Sequence, residues 1–208
     1  MLDANWLLFT IASVVLIATP GQDMILVMSR SIAQGPRAGV VTAAGISVGL
    51  LGHTLLATLG LGAILAASET LFTVLKLVGA AYLIYLAIGL LRTRDAALAV
   101  NQGAARSMTR LFADGALSNL SNPKIAVFYF AFLPQFVLPN AVHPPTIIFA
   151  LGCAFSLLTF VVKCPIGLTA GMLSGWLRTR PQVLRRVYQT SGLVLMLLGI
   201  KLAFERRH

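Results

Sequence analysis

Ala18-Thr19-Pro20-Gly21-Gln22-Asp23 interrupts the first long apolar run of the chain, and Ser121-Asn122-Pro123-Lys124 repeats the interruption one half-chain later. Proline inside a helix removes a hydrogen bond and clashes with the preceding turn, yet it suits the first helical position after an Asn or Thr cap. Thr19-Pro20 and Asn122-Pro123 therefore predict fresh helix starts. Gln22 stands three residues past Thr19, the spacing of a capping box.

The surrounding sequence sets the medium. Of 208 residues, 58% are apolar and only 11% charged, with a mean hydropathy of +0.88. Such a balance predicts an all-α integral membrane protein. A hydrocarbon core needs about 20 apolar residues per helix, and six runs meet that length, near 5–29, 39–67, 71–91, 111–138, 145–172 and 188–204. Trp6 suits an interfacial anchor. Counted from the two ends of the first and fourth runs, both breaks fall in the middle third of the membrane.

The formal charge of +10 does not mark a nucleic-acid surface, because the basic residues punctuate the apolar runs instead of lining one solvated face. Arg30 and Arg37 follow the first run, Arg92, Arg94, Arg106 and Arg110 the third, and Arg178, Arg180, Arg185 and Arg186 the fifth. Connections at Glu69 and at 139–144 carry no Lys or Arg. The positive-inside rule then places the odd-numbered loops in the cytoplasm and the N-terminus outside. Arg206 and Arg207 fall on the outer side in this scheme, a conflict that a five-span or re-entrant arrangement removes. No cleavable signal is expected, since Asp3 stands where a basic region belongs.

Residues 1–91 and 111–208 thus form two three-helix units joined by a cytoplasmic connection, 92–110. Three spans per unit would make the second enter from the opposite side, as an inverted repeat with broken first helices. Matching breaks in such halves point to a transporter's binding site. The new helix starts at Pro20 and Pro123 would aim unpaired N–H groups at the bilayer middle, where they favour a carboxylate.

Near that locus lie Thr19, Pro20, Gly21, Gln22, Asn119, Asn122, Pro123 and Lys124 as candidate cargo-binding residues. Asp23, Asp114 and His53 are candidates for ion coupling. Charged groups within a span are costly, so they usually face the interior and serve a pathway. Lys124 suits a carboxylate, and Asp23 an ammonium group or a proton. Alternatively, Asp23 and Lys124 pair with each other and lock the halves together. Asp114 stands close enough to the cytoplasmic surface for a solvated or capping role.

Several other features have plainer readings. Gly45 and Gly49 allow close helix approach, as do Gly167, Gly171 and Gly175. Gly45-Ile46-Ser47-Val48-Gly49 matches a hydrolase nucleophile pattern, but that motif requires a strand-to-helix turn, and His53 stands about 120° around the helix from Ser47. Cys153 and Cys164, eleven residues apart on one helix, are too distant for a disulfide. Lys76 and Lys163 are expected to snorkel to the nearer surfaces.

Thr19-Pro20-Gly21, Gly45 with Gly49, Gly79-Ala80-Ala81-Tyr82-Leu83, Asn119-Leu120-Ser121-Asn122-Pro123-Lys124 and Leu133-Pro134-Gln135-Phe136 together resemble the LysE/RhtB amino-acid exporters over nearly the whole chain. The family typically reads Thr-Pro-Gly-Pro, and Gln22 departs from its last place. The resemblance implies a multi-pass protein of the bacterial inner membrane that exports an amino acid or close derivative, driven by an ion gradient and not acting as an enzyme. No nucleotide-binding loop is present, and no cofactor or metal is expected. The expected partners are the cargo and membrane lipid, with a homo-oligomer also allowed. Rival readings are a structural membrane protein and a thiol-disulfide carrier, the latter lacking a cysteine beside either break.

Overall fold

A computed structural model describes residues 4–67, 69–92, 105–138, 141–178 and 180–204. Arg94, Arg206 and Arg207, and most of the connection between the two units, lie outside the described residues. The architecture is all-helical. Helices α1 (Trp6–Ala18), α2 (Gln22–Gln34), α3 (Pro36–Ala67) and α4 (Glu69–Arg92) precede the connection. Then follow α5 (Met108–Leu120), α6 (Pro123–Val127), a π-helical turn (Phe128–Phe132), a 3-10 turn (Leu133–Phe136), α7 (Pro144–Arg178) and α8 (Pro181–Phe204).

Among the described residues, four helices are long and apolar enough to cross a membrane, within α3, α4, α7 and α8; α1 and α2, bent by 53° at the break, make a fifth if counted as one span. The remaining expected run, 111–138, is divided among α5, α6 and the two irregular turns. Leu7, Leu59, Val78, Met172 and Phe204 are all well exposed, as a lipid-facing surface requires. Together with the apolar composition, these helices make the chain a multi-pass membrane protein.

Small residues set the helix crossings. A Cβ on Gly45 would collide with the backbone of Phe112, and one on Gly115 with the Thr42 carbonyl, so α3 and α5 meet backbone to backbone. Gly39 and Gly167 face each other in the same way between α3 and α7, where a Cβ on Gly39 would come within 2.9 Å of the Gly167 backbone. Gly45, Gly49 and Gly167 therefore act as expected for close packing, whereas a Cβ on Gly171 meets open space. Gly192 and Gly199 bring α8 onto α4, at Ala87 and Ala80.

The aromatic part of the largest core lies at the end of the bundle away from the arginines. Phe9, Phe128, Phe132, Phe136 and Phe155 are almost fully buried there. Phe128 stacks on Phe155 at 4.4 Å, and Phe136 meets Phe9 edge to face at 5.4 Å. The aromatic run 128–132 opens into a wide π-turn, which lets Tyr129 reach both Thr54 Oγ1 and the Gly152 carbonyl, each at 3.2 Å.

Candidate functional site

Both interruptions form, by different local means. Asn122 caps α6 as anticipated: its Oδ1 accepts from the Lys124 amide at 3.1 Å, and Pro123 occupies the first turn. The first break departs from the capping box. Thr19 ends α1, its hydroxyl donating back to the Val15 carbonyl at 2.8 Å, while Gly21 precedes α2 without a side-chain cap. Gln22 turns away from Thr19 and donates to Ser118 Oγ at 3.0 Å. A tertiary partner at the end of α5 outcompetes the local cap.

Four side chains tie the breaks together. Asp23, only 6% exposed, accepts from Asn119 Nδ2 at 2.8 Å and from Asn122 Nδ2 at 3.1 Å. Lys124 crosses in the other direction and donates to the Leu16 carbonyl at 3.3 Å. In a continuous helix that carbonyl would bond to the amide of residue 20, but Pro20 has no N–H. Lys124 thus caps the broken end of α1. A direct Asp23–Lys124 ion pair is not formed; the ion pairs among the described residues all converge on Asp114.

His53 joins this network from α3. Its Nε2 lies 3.1 Å from the Asn119 carbonyl, its ring stacks on Tyr129, and it is buried. Asp114 belongs to a separate cluster with Arg30, Arg106 and Arg110. That cluster ties α2, α5 and the residues just before α5 at the arginine-rich end.

Two hollows meet at the breaks. A tight one, with about 10 Å³ of free volume, is lined by Gly21, Asp23, Lys124, Thr159 and Lys163; this is room for about one water. A wide one of about 730 Å³ lies between Gln22 and Ile25 of α2, Tyr85 and Arg92 of α4, and Tyr188 of α8, within the usual size for a small-molecule site. Thr19, Gly21, Asn122 and Lys124 line both. Pro20, Gln22 and Pro123 face only the wide hollow. The structure therefore gathers every predicted cargo residue except Asn119 onto the two walls, and holds Asn119 behind them as the support of Asp23.

Lys163 corrects an expectation. It does not snorkel: it is 4% exposed and faces the tight hollow with Asp23 and Lys124. Fifteen residues of α7 separate it from Arg178, roughly 22 Å of helix, more than a lysine side chain can span. That distance was the available sign of an interior role.

Comparison with known proteins identifies a family. The family model of the LysE type translocator matches residues 14–206. An uncharacterized membrane protein of Vibrio cholerae is 31% identical, covering 95% of this chain and 96% of its own. The homoserine/homoserine lactone efflux protein of Salmonella typhimurium is 32% identical over 97% of both chains. The leucine efflux protein of Klebsiella pneumoniae is 26% identical over 96% of this chain and 94% of its own. No solved structure matches. With a family match over nearly its full length, and relatives above 30% identity that align end to end, the chain belongs to the LysE type translocators.

Proposed function

We propose that this protein is a secondary exporter of amino acids or close derivatives in the bacterial inner membrane, with the paired breaks as its cargo site. The observation that carries the reading is the cross-linking of the breaks around buried Asp23, between a tight hollow and a wide one. A buried carboxylate inside a membrane protein is expensive and usually serves a pathway. Relatives named for homoserine and leucine efflux supply the substrate class.

In this reading residues 1–91 and 111–208 are inverted repeats of three spans each, joined by 92–110. The element pairing supports it: α3 packs on α7 and α4 on α8, each helix against its counterpart in the other repeat. One difference in packing between the two repeats bears on the site. Helix α6 and the π-turn pack on α4, while α2, their counterpart, touches α4 and α8 at most marginally among the described residues. The wide hollow occupies that gap, beside Arg92. By the positive-inside rule this end faces the cytoplasm, so the hollow is the entry for cargo leaving the cell.

Alternating access then closes α2 towards α4 and α8 while the aromatic core at the other end parts. Helix α2, with 13 residues and no side-chain cap, offers its first-turn amides to a carboxylate; α6 has only five residues and contributes the Asn122 cap instead. Asp23 is the coupling site for a counter-moving proton, with His53 behind it through Asn119. Asp114 acts as a tie at the cytoplasmic end. Expressing the protein in bacteria stripped of their own amino-acid exporters, and measuring release of amino acids to the medium, tests this function. Faster release of one or more is expected, and unchanged release across the twenty would refute it.

A further inference from the structure

Two lysines face the tight hollow, and only one of them has a structural partner. Lys124 Nζ donates to the Leu16 carbonyl. Lys163, on α7, stands across the same space with no carboxylate within ion-pair distance among the described residues. Thr159 is one helical turn before it, so both side chains share a face of α7. The Thr159 hydroxyl is buried, at 2% exposure, and has no hydrogen-bond partner among the described residues. A buried hydroxyl without a partner is costly, and two lysines around one carboxylate leave excess positive charge in a confined, apolar setting. Both deficits are met by one guest group, an anion carrying several acceptor oxygens.

We propose that Lys163 and Thr159 hold the cargo carboxylate and restrict the transporter to amino acids that carry a single ammonium group. This rests on the exporter reading above and narrows the substrate class. The cargo carboxylate takes the Lys163 ammonium and the Thr159 hydroxyl, across the hollow from the first-turn amides of α2 that also attract it. Its α-ammonium faces Asp23, whose oxygens each accept one amide proton and keep a lone pair for another donor. Lys124 remains engaged with α1. A basic amino acid would bring a further cation into a space that already holds two against one carboxylate, and like charges in low dielectric repel strongly. A carboxyl-less analogue would leave Lys163 and Thr159 unpaired. The tight hollow holds about one water as it stands, so the guest enters from the wide hollow, which shares Lys124 and Gly21 with it, and its carboxylate reaches Lys163 and Thr159 as the space between α2 and α7 widens in the transport cycle.

The test uses the purified full chain in liposomes, exchanging radiolabelled leucine or homoserine against unlabelled leucine, homoserine, lysine and leucinamide. In the wild type, the neutral amino acids should compete at least about tenfold better than lysine or leucinamide, the discrimination expected when a charged group loses its partner. Lys163→Gln should raise KM for the neutral cargo about tenfold and erase its preference over leucinamide. Lys163→Arg should restore part of both, and Thr159→Val should raise KM a few-fold. An unchanged KM and preference in folded Lys163→Gln would overturn the assignment, as would wild-type exchange of lysine equal to that of leucine. Should Lys163→Gln not fold, the wild-type competition series and Thr159→Val decide the matter. No exchange of any amino acid by the wild type would instead overturn the exporter reading itself, and this inference with it.

Discussion

Asn119 donates its side-chain amide to Asp23 across 2.8 Å, joining residues 96 positions apart in the chain. This bond brings the start of α2 onto the end of α5. The same residue receives His53 at its carbonyl, so one asparagine holds the acidic group and the histidine in fixed relation. Replacing it with leucine should cost about 1.5–3 kcal/mol, the range for a hydrogen bond to a charged group. A lower melting temperature in detergent and slower transport are expected; an unchanged melt would show that Asp23 does not depend on this bond.

The glycine crossings predict opposite outcomes for one chemical change. Gly45→Ala drives a Cβ into the Phe112 backbone, which cannot rotate away, and should destabilise by about 1–3 kcal/mol. Gly171→Ala meets open space and should be neutral or gain up to about 1 kcal/mol from helix propensity. Thermal unfolding of the two variants side by side checks the contrast, and equal effects would contradict the helix packing described above.

The arginine cluster should show graded costs. Arg30, with a side chain 12% exposed, lies 3.7 Å from Asp114, whereas the Arg110 side chain is 70% exposed. Asp114→Ala leaves the largely covered Arg30 unpaired and should cost about 3 kcal/mol. Arg110→Ala removes only a solvated i,i+4 pair, worth about 0.3–0.5 kcal/mol. Raising the salt concentration should weaken the Arg110 contribution and leave the Arg30 contribution largely intact. Chemical unfolding at two ionic strengths measures both.

The wide hollow predicts a pattern of chemical access. With Cys153 and Cys164 replaced by alanine, Gln22→Cys and Ile88→Cys should react with a membrane-impermeant thiol reagent applied from the cytoplasmic side, since both positions face the hollow. Phe136→Cys, in the aromatic core at 1% exposure, should be protected from that side. Labelling of Ile88→Cys only from the outside would reverse the orientation.

The sequence made the breaks legible because proline and a run of polar residues are rare in an apolar span, and their physical consequences are local. Asn122 capping Pro123 is such a local event, and it forms as anticipated. Gln22 was misjudged because the spacing to Thr19 is local, whereas its actual partner, Ser118, becomes a neighbour only after folding. The same holds for Lys124, whose acceptor is the carbonyl that Pro20 leaves unpaired. Lys163 carries a sign of its interior place in the sequence itself, fifteen residues from Arg178, and helix α7 keeps that separation in space. The π-turn at Phe128–Phe132 has no signal in the residue pattern; it follows from packing Phe128 on Phe155 and bonding Tyr129 to α3 and α7.

Homoserine counterflow in liposomes, compared among wild type, Asp23→Asn and Lys124→Ala at matched protein levels, bears most directly on whether cargo passes between the breaks. Exchange should fall below about a tenth of the wild-type rate in Asp23→Asn, the loss expected when a charged binding partner is removed, and more moderately in Lys124→Ala, where the broken end of α1 loses its cap. Undiminished exchange in both, with wild-type melting behaviour, would place the cargo pathway elsewhere in the bundle.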